Sequence, residues 1–238
     1  MARMINGKIS GSISNTTYYT VNGISILRSK PGRGGVKQSK ATKKSASAFG
    51  KASSIIHPLL NELATELNFK MIMKNRGKVV SAAKNWLMLE TEEADSSLNT
   101  FQPALELNDI VTLEKILNVQ MELIVAKDNT LSVVVGSFNP FADIKAPQKT
   151  EIVELKVVLV TSNTTKEQTI VEKYPISVEI PFCDAEVGEQ TLEFPIHPGA
   201  GSIILVGLII CYKGYQINGM DRDRKWLPAG VLGLGRIR

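Results

Sequence analysis

Apolar residues alternate with small or polar residues across residues 5–30, which is the pattern of β-strands. Within this stretch, Asn22-Gly23 separates Tyr18–Val21 from Ile24–Leu27, and both flanks are rich in residues that favour strands. Asn-Gly supplies the positive φ values that a two-residue turn requires. The pattern therefore predicts a β-hairpin, followed by an extended loop in the glycine-rich residues 31–35.

The periodicity changes to that of helices from residue 39 onward. Ser39 or Thr42 can cap a first helix, and Pro58 is expected to end or kink it because proline disfavours the helical conformation of the residue before it. A second helix is expected to start at Pro58. A third is expected around Val79–Leu89, with an interruption near Gly77.

Strand patterns dominate after residue 95. Leu113–Ala126 and Leu131–Phe138 flank a short polar turn and predict a second hairpin. Further strands are expected at Glu151–Thr161, Thr169–Ile180, Thr191–Ile196, Ser202–Tyr215 and roughly Lys225–Leu232. The run Ile203–Cys211 lacks alternation, so we expect it in the centre of a sheet or in a subunit interface.

These elements predict an α+β protein that is mainly β. An N-terminal hairpin and short helices precede an antiparallel, immunoglobulin-like β-sandwich. The expected regions are a basic hairpin and arm at 1–38, a helical segment at 39–95 and the sandwich at 96–238.

Charge is distributed unevenly along the 238 residues, which the net charge of +5 conceals. Residues 1–90 carry 15 basic and three acidic residues, whereas residues 91–200 carry seven basic and 18 acidic residues. No acidic residue precedes Glu62. A basic segment of this kind is expected to contact phosphate, an anionic membrane or an acidic protein surface. The acidic surface can belong to a second copy of the same chain.

The residues that metal and nucleophile chemistry require are scarce. The chain has two cysteines, Cys183 and Cys211, and two histidines, His57 and His197. Neither histidine has a partner at metal-ligand spacing, and both cysteines are expected to pack as small apolar residues. We therefore expect no enzymatic activity, no metal site and no cofactor.

The sequence predicts no membrane span, because the longest apolar run is about half the length that a spanning helix needs. The N-terminus shows no apolar segment typical of a signal peptide. A cytoplasmic location is the default expectation, and export without a cleaved signal stays open.

Residues Gly7 to Pro31 resemble the start of an uncharacterised family of Bacteroidota proteins, a domain of unknown function. Members begin with a glycine-rich hairpin that ends in an Arg-Ser-x-Pro motif, here Arg28-Ser29-Lys30-Pro31. A helix carrying a phenylalanine follows, here Phe49. The resemblance covers about the first 60 residues and departs in the loop Gly32–Gly35. It implies lineage and fold, and it transfers no functional site.

Two classes of function fit these observations. In the first, the protein is a structural building block whose basic N-terminal arm docks on the acidic β-domain of a neighbouring subunit, forming a ring, tube or filament. In the alternative, the arm follows the phosphates of a nucleic acid and the protein is an accessory factor. The expected interface residues are Arg28, Lys30, Arg33, Lys37, Lys40, Lys43 and Lys44 on the arm, facing Glu172, Asp184, Glu186 and Glu189.

Overall fold

A computed structural model of the protein describes ten stretches of the chain and places them in two compact units. The units divide within the first helix, between Ser47 and Ala48. The described residues are 2–5, 8–21, 24–30, 38–68, 73–89, 105–125, 130–164, 169–194, 202–214 and 226–236.

The first unit contains a four-stranded antiparallel sheet in which each strand pairs with the next. Its strands are β1 (Ala2–Ile5), β2 (Lys8–Ile13), β3 (Thr16–Val21) and β4 (Ile24–Ser29). The pairing of β3 with β4 confirms the predicted hairpin, although its turn at residues 22 and 23 lies outside the described residues. The sheet has two more strands than the hairpin.

Helix α1 (Lys40–Glu66) begins after Ser39, whose side-chain oxygen accepts a hydrogen bond from the backbone N–H of Thr42 at 3.1 Å. The predicted end or kink at Pro58 is wrong as a boundary, because the helix continues through this residue. An internal proline costs about 3 kcal/mol. Burial of the apolar side chains on both sides of Pro58 outweighs this cost, since each buried leucine or isoleucine contributes about 1.5 to 3 kcal/mol. The buried residues are Ala52, Ile56, Leu59, Leu60 and Leu63.

Helix α2 (Met73–Leu89) also continues where the sequence predicted a break. Gly77 lies inside it, so the expected interruption is wrong. Glycine costs a helix about 1 kcal/mol relative to alanine. Burial of Val79, Val80 and Ala83 offsets this cost, as does a hydrogen bond of 2.6 Å from the buried Asn75 side chain to the carbonyl of Leu107.

The second unit contains two antiparallel sheets. The three-stranded sheet has the order β10-β7-β6, and the five-stranded sheet has the order β5-β12-β11-β8-β9. The strands are β5 (Leu105–Glu106), β6 (Met121–Val125), β7 (Leu131–Val135), β8 (Ile152–Thr164), β9 (Thr169–Pro181), β10 (Gln190–Phe194), β11 (Ile203–Lys213) and β12 (Ala229–Arg236). Two short helices, α3 (Leu113–Ile116) and α4 (Pro140–Asp143), complete the described elements.

Two apolar cores lie on opposite faces of the five-stranded sheet. One lies between this sheet and the three-stranded sheet, and includes Leu131, Val133 and Phe194. The other lies between the five-stranded sheet and the helices α1 and α2. Strand β11 occupies the middle of the sheet, so its alternate side chains enter different cores, and residues 203–210 are all buried. This explains the absence of alternation in its sequence and confirms the predicted position in the centre of a sheet.

The mainly β composition and the antiparallel pairing are confirmed, but one predicted strand is partly wrong. Residues 113–116 form α3 instead of the start of a strand, because both carboxylate oxygens of Glu106 accept a hydrogen bond from the N–H of Leu113 at 2.9 Å. This contact satisfies a donor at the start of the helical turn. The immunoglobulin-like arrangement of the sandwich is not confirmed.

Candidate protein interface

The basic arm predicted from the sequence runs from the end of β4 into the start of α1. Arg28 and Lys30 are exposed, and the guanidinium carbon of Arg28 lies 5.9 Å from the centre of the Tyr19 ring. Arg33 and Lys37 lie outside the described residues. Lys40, Lys43 and Lys44 are exposed on α1 and share one side of the helix, because residues three and four positions apart are neighbours.

These three lysines occupy the least favourable end of a helix for a positive charge. The first turns of a helix present unpaired N–H groups and the positive end of the helix dipole. The first turn of α1 contains no acidic residue. Within the described residues, no carboxylate forms an ion pair with Lys40, Lys43 or Lys44. An anionic partner at this site therefore has both the lysine side chains and the helix terminus to contact.

Three of the four predicted acidic residues lie in one loop. Asp184, Glu186 and Glu189 are exposed between β9 and β10. Glu172 lies on β9, nine residues before its end at Pro181. At about 3.3 Å per residue, this separation is about 30 Å, so Glu172 does not join the other three.

Two of these carboxylates already have polar partners. Glu172 accepts a hydrogen bond from the Tyr174 hydroxyl at 3.0 Å. This contact contributes, after burial, to raising the pKa of Tyr174. Asp184 accepts a hydrogen bond from the Asn139 side-chain amide at 2.7 Å. Glu186 and Glu189 form no ion pair with any described residue, so they remain open to a partner.

Sequence reasoning missed two acidic residues on the outer face of the three-stranded sheet. Glu122 on β6 pairs with Val134, and Glu193 on β10 pairs with Ser132, so both point away from the core. Glu189 and Glu122 line one surface depression of about 340 Å³. We call this outer surface of the three-stranded sheet, which carries Glu122, Glu189 and Glu193, the acidic face. The alternation of Glu122 and Glu193 with apolar neighbours was the signal that identifies them as outward; these neighbours are Met121 and Leu123 on β6, and Leu192 and Phe194 on β10.

The acidic face contains no lysine or arginine among its described residues. Its outward positions are Gln120, Glu122, Ile124, Ser132, Val134, Gly136, Glu189, Thr191 and Glu193. Strand spacings place Glu122 and Glu193 about 12 Å apart, on the two edge strands of this sheet. A basic segment crossing the sheet can therefore contact carboxylates at both edges.

The lysines of the five-stranded sheet, in contrast, are paired within the chain. Lys156 and Lys173 both lie 3.1 Å from carboxylate oxygens of Glu66 on α1. Hydrogen bonds from Lys173 and then Lys156 lower the pKa of Glu66. Lys213 pairs with Glu179 and Glu154. These pairs connect the helix and neighbouring strands, and in the described part of the chain no lysine or arginine forms an ion pair with Glu122, Glu189 or Glu193.

A groove of about 500 Å³ opens beside the core between the two sheets. It is lined mainly by apolar side chains, including Leu117, Met121 and Leu208, together with Glu106, Glu114 and Glu122. Burial is the main cause that raises the pKa of Glu106. Glu106 accepts hydrogen bonds from the N–H of Leu113 at the start of α3, and the groove offers acidic and apolar contacts.

The cysteine and histidine positions give no site within the described residues. Cys183 is exposed, so the prediction that it packs as a small apolar residue is wrong: it follows β9 in a surface loop. Cys211 is half-buried, His57 is exposed, and His197 lies outside the described residues. In the described part of the chain, no three His, Cys, Asp or Glu side chains are grouped to hold a metal ion.

Comparison with protein-family models and with curated proteins finds no match to this chain. The resemblance of residues 7–31 to the Bacteroidota family therefore stays a prediction. Among the described helices, none has the length and apolar character required to cross a membrane.

Proposed function

We propose that this protein is a structural, self-assembling subunit whose basic arm docks on the acidic β-domain of a neighbouring copy. The arm contributes Arg28, Lys30 and the lysines at the start of α1. The receiving surface is the acidic face together with Glu186. Such a contact joins two different patches, so repetition generates a ring when the rotation closes and a tube or filament when it does not.

The observation that carries the proposal is that the first unit exposes unpaired bases and no acid, whereas the outer face of the three-stranded sheet exposes unpaired carboxylates and no base among its described residues. The exposed bases Lys40, Lys43 and Lys44 belong to the first unit, whose residues 1–47 contain no acid. Exposed carboxylates without ion pairs among the described residues belong to the second unit, at Glu122, Glu186, Glu189 and Glu193. Complementary surfaces of this kind direct association and orient the partners.

The position of the lysines adds support. A positive charge at a helix N-terminus works against the helix on its own. Local conflicts of this type are characteristic of functional sites, where the partner compensates them. A carboxylate from another copy relieves the conflict in α1, because it pairs with the lysines and accepts hydrogen bonds from the unpaired N–H groups.

Charge reversal on both surfaces tests the contact. The arm variant carries Lys40→Glu, Lys43→Glu and Lys44→Glu, and the face variant carries Glu122→Lys, Glu189→Lys and Glu193→Lys. Each variant alone is expected to lose assemblies larger than a dimer in low-salt buffer, whereas their mixture restores the larger assemblies because the charges match again. Sedimentation velocity on nucleic-acid-free protein measures both results.

A matched variant controls for net charge. Lys74→Glu, Lys115→Glu and Lys145→Glu change the net charge equally on exposed residues of the second unit, and this variant is expected to associate like the wild type. Equal loss in the matched variant, or no recovery in the mixture, contradicts the proposal. A wild-type monomer that retains DNA or RNA with a steep salt dependence instead supports the nucleic-acid alternative.

We also propose that the sandwich is immunoglobulin-like, that the N-terminal region shares its lineage with the Bacteroidota family, and that the protein is cytoplasmic. None of them is needed for the contact between the arm and the acidic face.

A further inference from the structure

Apolar side chains are exposed on the N-terminal sheet. None of the described side chains of β2, β3 and β4 is buried. The exposed fractions reach 52% for Ile13, 61% for Leu27 and 68% for Ile24. A small sheet with uncovered faces is marginally stable in water, so a partner surface is expected to cover at least one of them.

The pairing register places Arg28, the charged residue of this sheet whose side chain the structure describes, on one face. Arg28 pairs with Thr17 and Thr17 pairs with Ser12, so these three residues share one side of the sheet. We call this side the basic face. The other side, the neutral face, consists among the described side chains of Ile9, Gly11, Ile13, Thr16, Tyr18, Thr20, Ser25, Leu27 and Ser29.

We propose that the neutral face packs against the neutral face of a second copy of this chain. Two basic faces brought together oppose the positive charges of two Arg28 side chains, which disfavours that pairing. Two neutral faces oppose none. The neutral face is therefore the side of the sheet that a second copy can cover, whereas an acidic partner prefers the opposite side.

The shape of the neutral face also allows two copies of it to pack together. Gly11, Tyr18 and Leu27 form one row across β2, β3 and β4, because Gly11 pairs with Tyr18 and Tyr18 with Leu27. Gly11, with a φ of 115°, has no side chain and leaves a gap in the face. A two-fold axis parallel to the strands and passing over Tyr18 places Leu27 of each copy over Gly11 of the other. Each exposed leucine then fills a gap.

The estimated area of this contact indicates how strong it is. Four strands about 4.8 Å apart and about 20 Å long give roughly 400 Å² per copy, or roughly 800 Å² in total. Stable complexes bury about 1,200 to 2,000 Å², so this contact is weak alone and gains strength beside a second contact. It is isologous, and it does not depend on the basic arm.

Cross-linking tests the geometry. In the full chain with Cys183→Ser and Cys211→Ser, Tyr18→Cys places one thiol on the neutral face, and Tyr19→Cys places one on the basic face. Packed sheets are about 10 Å apart, so a bismaleimide of that reach is expected to join two Tyr18→Cys copies and not two Tyr19→Cys copies. The reaction is run in 1 M salt, where the Debye length of about 3 Å screens the arm contact.

Substitution on β4 tests the energetics under the same conditions. Leu27→Lys is expected to weaken dimerisation by about tenfold or more, because it removes an apolar contact and introduces charge. Ile24→Lys, on the same strand but the opposite face, is the matched control and is expected to leave dimerisation unchanged. Leu27→Thr, which preserves strand propensity, is expected to weaken the dimer in the same direction. Circular dichroism verifies that each variant is folded.

Equal cross-linking at positions 18 and 19, or equal effects of Leu27→Lys and Ile24→Lys, overturns the proposal. The proposal is also overturned if the wild type stays monomeric in concentrated solution and no cross-linking occurs at position 18. In that case another part of the same chain covers the neutral face, or the neutral face stays uncovered. If charge reversal abolishes the low-salt assembly while cross-linking at position 18 is retained, the contact of the arm with the acidic face and the contact between neutral faces are independent. If cross-linking succeeds and charge reversal has no effect, the arm proposal fails and this one stands.

Discussion

The packing of α1 on β11 predicts a specific energetic coupling between Leu63 and Gly207. Leu63 is fully buried. A Cβ atom built on Gly207 meets its Cδ1 at 2.5 Å, its Cδ2 at 2.8 Å and its Cγ at 3.1 Å. Ordinary carbon contacts are about 3.5 to 4.0 Å, so a methyl group at Gly207 and the leucine cannot both occupy their places.

The magnitudes follow from this contact. Leu63→Ala removes buried methyl groups and leaves a cavity, which is expected to cost about 2 to 5 kcal/mol of unfolding free energy. Gly207→Ala forces Leu63 aside, which is expected to cost about 1 to 3 kcal/mol. In the double variant the new methyl group enters the space that Leu63 vacates. The double variant is therefore expected to cost no more than Leu63→Ala alone, a coupling of about 1 to 3 kcal/mol.

Urea unfolding of dilute protein, followed by circular dichroism, measures the four members of the cycle. Gly188→Ala is the matched control, because a Cβ at this glycine meets nothing within 4 Å. It is expected to change stability by less than about 0.5 kcal/mol. Strictly additive costs of Leu63→Ala and Gly207→Ala refute the placement of α1 against the middle of the sheet.

Three further predictions concern single side chains. The hydrogen bond from Lys173 lowers the pKa of Glu66, so the ionised carboxylate stabilises the fold above its ordinary pKa of 4.5, and this stabilisation is lost as the pH falls through the lowered value. In urea unfolding, Glu66→Gln is therefore expected to reduce the loss of unfolding free energy at acid pH, and an unchanged loss contradicts the pairing. Lys43→Glu is expected to keep or raise the melting temperature, because a negative charge interacts favourably with the N-terminal end of the helix dipole. It is also expected to weaken low-salt association, because it removes a contact of the arm. A lower melting temperature contradicts the unfavourable placement of Lys43 at the start of α1. Tyr212→Phe is expected to cost about 1 kcal/mol in urea unfolding, because the hydroxyl donates a hydrogen bond of 2.9 Å to the carbonyl of Lys145; a stability equal to that of the wild type contradicts it.

The strands were predictable because their sequences repeat with the period of the sheet. The run 203–211 was informative for the opposite reason, since a strand buried on both faces cannot alternate. The continuity of α1 through Pro58 was not predictable from local preference. It depends on burial against β11, a strand more than 140 residues later in the chain, and tertiary packing of this kind overrides propensity.

The charged surfaces were only partly predictable. Counting charges by segment placed bases and acids in different regions, but it could not tell that Glu62 and Glu66 on α1 pair with Lys173. The charge count also could not tell that Glu172 and Asp184 lie far apart. One lies on the long strand β9 and the other in the loop after it, so they are close in sequence but distant in space. Glu122 and Glu193 required the strand register, which brings together residues 71 positions apart.

Sedimentation velocity of nucleic-acid-free wild-type protein, at fixed concentration and rising salt, tests the arrangement of charge most directly. Assemblies larger than a dimer are expected at low salt, where the Debye length is about 30 Å at 0.01 M, and they are expected to shrink to dimers or single chains at 1 M. A single-chain mass at every salt concentration, or an assembly whose size does not respond to salt, contradicts the proposed contact between the basic arm and the acidic face.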